Sequence, residues 1–201
     1  VVSAGPRTLG LVLAGGMGRR MGGRDKGLVH YLGRPLVEHV LERLVPQVDA
    51  VAINANRSLD EYAAFGHPVI RDRLEGFHGP LAGMSAGLEA AAARGAQGIV
   101  TVPCDAPALP KDLAQRLLAA AGPAERGAVA AAGGRLQPVF AWVPVGAAAS
   151  LEDWLSRGER KIDRWFERED FAVAAFDDPE AFRNLNAPAD LEPPASSASL
   201  R

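Results

Sequence analysis

Residues 13–26 read Leu-Ala-Gly-Gly-Met-Gly-Arg-Arg-Met-Gly-Gly-Arg-Asp-Lys and continue the apolar run Leu9–Leu13. A short apolar run that ends at small residues predicts a buried parallel strand whose C-terminal end opens into a loop. The glycines at 15, 16 and 18 can adopt positive φ and carry no Cβ, so backbone N–H groups can converge on phosphate oxygens. The same stretch holds four basic residues: Arg19, Arg20, Arg24 and Lys26. Together these features predict a phosphate-binding loop at the end of the first strand.

The spacing within this loop excludes two common phosphate-binding motifs. A dinucleotide fingerprint needs G-x-G-x-x-G, and Met21 occupies the third glycine position when the count starts at Gly16. A P-loop needs G-x-x-x-x-G-K-[ST], and Gly23 is followed by Arg24, with no Ser or Thr placed to hold magnesium. The loop is therefore of a third kind. The structural alternative is a glycine-rich turn with solvated arginines, which does not require so many glycines beside so much like charge.

Length and composition are those of a globular protein. A chain of 201 residues can bury a sizeable core in one domain. We expect that domain to cover residues 1–192, and the tail at 193–201, rich in Pro, Ser and Ala, to be disordered. A net charge of −2 argues against bulk nucleic-acid binding.

Cysteine content and hydropathy predict the compartment. The single cysteine, Cys104, can form no internal disulfide, which suits a reducing environment. No apolar run reaches the length of a membrane span, and the N-terminal segment lacks a signal-peptide pattern. We therefore expect a cytoplasmic protein that binds neither nucleic acid nor membrane.

Apolar strands alternate with amphipathic helical segments along most of the chain. The predicted strands are Leu9–Leu13, Val51–Asn54, Val69–Ile70, Ile99–Val102, Ala128–Ala132, Leu136–Trp142 and Phe171–Phe176. The predicted helices are Leu36–Val45, a helix that follows a capping Ser58 and extends through Phe65, Leu81–Arg94, Lys111–Ala121, Ala147–Leu155 and Lys161–Arg168. This alternation predicts an α/β fold, a single doubly wound, mainly parallel sheet with helices on both faces. The hairpin around Gly133 and Gly134 predicts a late antiparallel part.

Polar side chains follow the predicted strands. Ligands of an open α/β sheet bind beyond the C-terminal strand ends, which makes Asn54, Asp72 and Asp105 candidates for one site. Asp105 lies between two prolines that restrict its backbone, and a carboxylate there can hold Mg²⁺. The alternative is that Asp105 caps the next helix, although that helix is predicted to begin only at Lys111.

The other polar positions also have structural alternatives. An Asp at the end of a strand, such as Asp72, often forms an Asx-turn, and Asn54 has the same alternative. Asn184 and Asn186 alternate along an extended segment, so their amide oxygens can face one metal ion or substrate. Asn186 can instead cap a helix that starts near Pro188. The residues alone leave these interpretations open.

Three motifs occur in a fixed order along the chain. They are Leu13-Ala14-Gly15-Gly16 with Arg20-Met21-Gly22 and Asp25-Lys26, then Cys104-Asp105-Ala106-Pro107, then Asn184-Leu185-Asn186-Ala187-Pro188. This ordered set resembles the nucleotidyltransferase superfamily with a Rossmann-like fold, and within it the molybdenum cofactor guanylyltransferase family. The resemblance extends from Leu9 to about Leu191. It implies Mg²⁺-dependent transfer of GMP from GTP to molybdopterin, the organic part of the molybdenum cofactor, giving molybdopterin guanine dinucleotide and pyrophosphate.

The resemblance also implies partner proteins and site residues. The partners would be proteins of earlier cofactor synthesis and chaperones of molybdenum enzymes. The residues implied in binding the nucleotide, the metal or the second substrate are Leu13, Ala14, Gly15, Gly16, Lys26, Asn54, Asp72, Gly83, Asp105, Asn184 and Asn186. Arg20, Lys26 and Asp105 would be catalytic, and Asp105 would hold the Mg²⁺.

Two alternative functions share the loop and Asp105. The first is a cytidylyl- or sugar-phosphate nucleotidyltransferase. The choice of nucleotide base depends on a few hydrogen bonds, and the sequence does not show which residues make them. The second is a non-catalytic nucleotide-binding protein that delivers the cofactor. A lost metal ligand would mark that second class, and the presence of Asp105 and both asparagines counts against it.

Overall fold

A computed structural model of the chain describes residues 8–15, 25–73, 79–122, 126–186 and 188–191. In these segments a seven-stranded sheet carries helices on both faces, and a two-stranded hairpin forms a second, small sheet. The predicted α/β fold is confirmed. The tail predicted to be disordered, residues 193–201, lies outside the described residues.

The element bounds agree with most of the predicted ones to within two residues. The strands are β1 (Thr8–Leu13), β2 (His30–Tyr31), β3 (Arg34–Pro35), β4 (Ala50–Asn54), β5 (Val69–Ile70), β6 (Gly98–Pro103), β7 (Ala128–Ala132), β8 (Arg135–Pro144) and β9 (Ala172–Phe176). The helices are α1 (Leu36–Leu44), α2 (Leu59–Ala63), α3 (Pro80–Ala93), α4 (Leu113–Ala121), α5 (Ala148–Ser156) and α6 (Ile162–Arg168). Short 3₁₀ turns lie at Lys26–Leu28, Val45–Gln47, Val145–Ala147, Pro179–Phe182 and Pro188–Leu191. The hairpin of β2 and β3 was not predicted, because strands of two residues carry no readable periodicity.

The large sheet has the strand order β5-β4-β1-β6-β8-β7-β9. β1 pairs in parallel with β4 and with β6, and β4 pairs in parallel with β5. β8 is antiparallel to both of its neighbours, while β7 and β9 are parallel to each other. The late antiparallel part of the prediction is thus confirmed, and it consists of one reversed strand, β8, among the described strands.

Strand alternation divides the core into two layers. Val12 of β1 packs with α1, α2 and α4 on one face, whereas Leu9 and Leu11 pack with α3, α5 and α6 on the other. Central strands buried on both faces are typical of parallel sheets. Within the described ranges, the helices are too short or too polar to cross a lipid bilayer.

Strand register brings the ends of four strands to one edge of the sheet. Leu13 is level with Asn54 on one side and with Pro103 on the other, and Asn54 is level with Ile70. The residues that follow these strands therefore lie beside one another. We call this side of the sheet the C-terminal edge, and it is where the rule for open α/β sheets places a ligand.

Candidate active site

A lysine, a carboxylate and an amide from three separate parts of the chain meet at the C-terminal edge. The Lys26 Nζ contacts Asp105 Oδ2 and donates a hydrogen bond to Asn186 Oδ1. The Asp105 side chain is 7% exposed and that of Lys26 is 23% exposed. An ion pair with so little access to water is screened less than one on the surface. We call these three residues the lysine cluster.

The backbone on both sides of Asp105 is fixed to neighbouring segments. Cys104 N donates to Leu13 O over 3.1 Å, and Leu185 N donates to Asp105 O over 2.9 Å. α4 begins at Leu113 with Asp112 at its N-cap position. Asp105 therefore does not cap that helix, and the structural alternative considered for this residue is wrong.

The two predicted asparagines lie in different environments. Asn186 is exposed, and its side chain contacts Lys26 and, over 3.2 Å, the backbone oxygen of Asn184. Its backbone N donates to Asp190 Oδ2 in the following 3₁₀ turn over 2.8 Å, and the capping role considered from the sequence stays a prediction. The Asn184 side chain is half-buried, and its Oδ1 has no hydrogen-bond partner among the described residues. An orphaned, inward-facing amide oxygen beside the Asp105 segment is a free acceptor for a ligand or metal ion.

A second group of side chains forms at the ends of β4 and β5. Asn54 Nδ2 donates to Asp72 Oδ1 and Asn56 Nδ2 donates to Asp72 Oδ2, each over 2.8 Å. Asp72 N donates in turn to Asn56 Oδ1 over 2.9 Å. Both carboxylate oxygens are engaged by neighbouring strand ends, so Asp72 takes part in a cross-strand network rather than only a local turn. We call Asn54, Asn56 and Asp72 the amide cluster.

Two glycines bring backbone close to the amide cluster. An ideal Cβ at Gly83 would overlap the side-chain oxygen of Asn54 and would lie 2.7 Å from Leu13 Cδ2. A Cβ at Gly15 would lie 3.3 Å from Asn56 Nδ2 and 3.4 Å from Asn54 Oδ1. Ala14 N donates to Asn54 O over 2.8 Å. The predicted residues that the structure brings together here are Leu13, Ala14, Gly15, Asn54, Asp72 and Gly83.

The two clusters flank the end of β1, because this strand lies between β4 and β6. The glycine-rich loop leaves the sheet from that point. Gly16 and Arg20 lie outside the described residues, and their predicted roles stay predictions. The two clusters thus offer one cation, two carboxylates and several amide oxygens around the start of the loop.

Cys104 lies next to Asp105, but its thiol is unreactive. Its side chain is buried. Burial raises the pKa of the Cys104 thiol, and the negative charges of Asp105 and Asp25 raise it further. The thiol therefore stays protonated near neutral pH, which does not suit a nucleophile.

The oxygen donors at this edge fit magnesium better than zinc. Mg²⁺ takes oxygen ligands, usually one or two protein groups together with substrate phosphates. The Asp105 carboxylate and the orphaned Asn184 Oδ1 are donors of that kind. Among the described residues there is no group of three or more His, Cys, Asp or Glu side chains that could enclose a metal.

Sequence reasoning missed one buried contact near this site. Tyr62 of α2 donates a hydrogen bond to Asp25, the residue that precedes Lys26. The signal that was available is chemical, since a buried tyrosine hydroxyl usually finds a partner. Its partner could not be identified, because nothing in the spacing connects α2 to the glycine-rich loop.

The chain is similar to known proteins in both sequence and structure. Residues 10–173 match the family model described as MobA-like NTP transferase domain. A molybdenum cofactor guanylyltransferase of Shewanella sp. strain MR-4 is 50% identical over 181 residues, which cover 89% of this chain and 90% of that protein. One from Cereibacter sphaeroides is 50% identical over 186 residues, covering 92% and 94%. The crystal structure of molybdopterin-guanine dinucleotide biosynthesis protein A from Archaeoglobus fulgidus has a TM-score of 0.72 at 25% identity, covering 92% of this chain and 94% of that one.

Proposed function

Because the chain belongs to the MobA-like NTP transferase family, we propose that it transfers GMP from GTP to molybdopterin. The products are molybdopterin guanine dinucleotide and pyrophosphate, and the enzyme is a nucleotidyltransferase. The observation that carries the proposal is the lysine cluster, in which Lys26, Asp105 and Asn186 meet at the C-terminal edge. Relatives at 50% identity over nine-tenths of the chain support the choice of substrates.

The reaction asks for positioning and charge neutralisation. An oxygen of the terminal phosphate of molybdopterin attacks the α-phosphorus of GTP. A new P–O bond forms, the bond from the α-phosphorus to the bridging oxygen breaks, and pyrophosphate leaves with that oxygen. The attacking phosphate is already anionic, so no general base is required. In-line transfer of this kind depends chiefly on orientation and on stabilising the developing negative charge.

Lys26 is the described cation best placed to stabilise that charge. Its ammonium is a mobile point charge on a flexible stem, so it can exchange the Asp105 carboxylate for nucleotide phosphates. Arg20, on the glycine-rich loop, is proposed to join it on the departing pyrophosphate. Preorganised cations at such positions are among the largest contributions to catalysis.

Asp105 and Asn184 would hold Mg²⁺. When Lys26 moves to the phosphates, the Asp105 carboxylate becomes available as a ligand, and the Asn184 amide oxygen has no other described partner. When bound, Mg²⁺ neutralises phosphate charge and polarises the α-phosphoryl group. Both residues supply the oxygen donors that this metal prefers.

The amide cluster is proposed to bind the nucleoside. The glycines at 15 and 83 carry no side chain, so their backbone packs directly on the amides of Asn54 and Asn56 and helps to hold these amides in place for a bound nucleoside. The amide and carboxylate oxygens of Asn54 and Asp72 can accept hydrogen bonds from guanine N–H groups or ribose hydroxyls. The cytoplasmic location and the partner proteins expected from the sequence stay predictions.

The test is the product formed from different nucleotides. The purified protein is incubated with Mg²⁺, molybdopterin and GTP, CTP or UTP, and the products are identified by mass spectrometry. We expect the guanine dinucleotide and an equal amount of pyrophosphate from GTP alone. A preference for CTP would favour the cytidylyltransferase alternative. GTP binding without pyrophosphate release from any nucleotide would favour the non-catalytic delivery protein.

A further inference from the structure

Tyr62 forms a buried hydrogen bond with Asp25, the residue that precedes Lys26 of the lysine cluster. Tyr62 is fully buried, and its Oη donates to Asp25 Oδ1 over 2.5 Å. Asp25 is 8% exposed, and the Arg57 Nε lies 3.3 Å from its second oxygen. Burial raises the pKa of Tyr62, so the hydroxyl stays protonated and able to donate. A buried hydroxyl and a buried carboxylate are each costly without a partner, so the contact fixes both groups.

Gly27, the residue that follows Lys26, packs against the same Tyr62 hydroxyl. A Cβ at Gly27 would lie 2.5 Å from Tyr62 Oη and 3.2 Å from Cys104 Cβ. Only a residue without a side chain fits there. The Tyr62 hydroxyl thus lies against both sequence neighbours of Lys26, binding Asp25 and leaving no room for a side chain at residue 27.

The ammonium of Lys26 lies at the C-terminal edge of the sheet. The ammonium contacts Asp105 and Asn186, and the Lys26 side chain is only 23% exposed to solvent. A lysine stem has many rotamers, and its ammonium reaches one place reproducibly only when its backbone is held. The backbone is held here through the two neighbouring residues.

We propose that Tyr62 is a positioning residue, which fixes Lys26 for phosphate binding by holding Asp25 and packing on Gly27. Tyr62 itself is buried in α2 and does not touch substrate. That Tyr62 supports catalysis rests on the proposed function, whereas the claim that Tyr62 holds Lys26 in place does not. The two claims can therefore be tested separately.

The geometric test measures how reactive the Lys26 amine is toward acetic anhydride. Labelling of each lysine is followed by peptide mass spectrometry in the wild type and in Tyr62→Phe, which keeps the ring and removes only the hydroxyl. We expect the labelling rate of Lys26 to rise about fivefold, the effect of losing one hydrogen bond of ordinary strength. Lys111 and Lys161, the other two lysines of the chain, serve as internal references and keep their rates. An unchanged rate at Lys26 in a folded Tyr62→Phe variant overturns the proposal.

The catalytic test is a double-mutant cycle in single-turnover guanylyl transfer. At saturating GTP, Tyr62→Phe should lower the single-turnover rate constant about five- to tenfold. In a Lys26→Ala background the same substitution should have no further effect, because Tyr62 acts through Lys26. A merely structural role would lower the rate equally in both backgrounds, and that result would contradict the proposal.

Controls separate failure of folding and failure of the proposed function from failure of this inference. Tyr31→Phe changes a tyrosine of the β2–β3 hairpin and should match the wild type in labelling and rate. If Tyr62→Phe does not fold, Asp25→Asn and Asp25→Ala replace it, since the amide oxygen of Asn can still accept from Tyr62 and Ala cannot. Lys26 should label faster in Asp25→Ala than in Asp25→Asn, and equal labelling overturns the proposal. If the wild type forms no dinucleotide, the proposed function fails, and the labelling result still decides the position of Lys26.

Discussion

The ammonium of Lys26 is ion-paired to the carboxylate of Asp105 across the C-terminal edge of the sheet. One residue follows the loop after β1 and the other follows the neighbouring strand β6. Phosphates of a bound nucleotide compete with the carboxylate for the same cation. We therefore expect substrate binding to exchange one anionic partner of Lys26 for another and to release Asp105 for the metal.

Lys26→Ala should lower the rate constant of guanylyl transfer about 10²- to 10³-fold, the usual cost of removing one preorganised charge-stabilising group. The measurement is dinucleotide formation at saturating GTP. Lys111→Ala is the matched control, since this exposed lysine precedes α4 and does not belong to the lysine cluster. A loss of less than about threefold in Lys26→Ala would remove this residue from the phosphate site.

Gly83→Ala should weaken GTP binding about tenfold, because the added methyl overlaps Asn54, whose amide is tied to Asp72 and cannot easily move. Binding is measured by titration of the protein with GTP. Gly87→Ala is the matched control on the same helix. Its methyl would overlap the flexible Leu11 side chain, away from the amide cluster. Equal GTP affinity in the two variants would place the nucleoside elsewhere.

Leu32→Asn should raise the free energy of unfolding by about 0.5–1 kcal/mol, because leucine is strained in the left-handed region and asparagine is tolerated there. Leu32 has φ +49° at the tip of the β2–β3 hairpin and is 59% exposed, so little packing is lost. Urea denaturation measures the change. Leu32→Val should be less stable than the wild type, and a stabilised valine variant would contradict the strain argument.

The buried Cys104 thiol should cause the free energy of unfolding to decrease at alkaline pH. Its folded-state pKa is raised mainly by burial, so the unfolded chain loses the thiol proton first as the pH rises above about 8.5. Proton loss favours the unfolded state over that window, by at most about 1.4 kcal/mol per pH unit. Between pH 7.5 and 9.5 the wild type should therefore lose more free energy of unfolding than Cys104→Ala does. Parallel pH profiles for the two proteins would show that the thiol titrates normally when folded.

The sequence predicted which strand ends meet, but not how the side chains pair there. Asn54, Asp72 and Asp105 could be predicted to share an edge, since parallel strands of a doubly wound sheet all end on one side. Whether Lys26 contacts Asp105 depends on rotamers of distant residues, which no local pattern records. Alternation suggested equivalent roles for Asn184 and Asn186. The buried Oδ1 of Asn184 has no partner in the described part of the chain, however, whereas that of Asn186 accepts from Lys26.

The β2–β3 hairpin and the hydrogen bond between Tyr62 and Asp25 were not predicted, for different reasons. The β2–β3 hairpin has two-residue strands and carries Leu32 where a turn usually has Asn, so both of its usual signals are weak. Tyr62 has the apolar spacing expected of any core residue of α2. The hydrogen bond from its hydroxyl to Asp25 exists only in the folded chain, so the sequence pattern of α2 does not predict it.

The most direct test of the account is molybdopterin-dependent pyrophosphate release from GTP by Asp105→Asn. This substitution keeps the size of the side chain and removes the charge that pairs with Lys26 and is proposed to hold Mg²⁺. Asp112→Asn, at the N-cap position of α4, is the control for removing a carboxylate outside the lysine cluster. We predict a loss of at least about 10³-fold in Asp105→Asn, with GTP still bound and the fold intact, and near-normal release in Asp112→Asn. Near-normal release by a folded Asp105→Asn protein would contradict the central claim that guanylyl transfer takes place at this carboxylate.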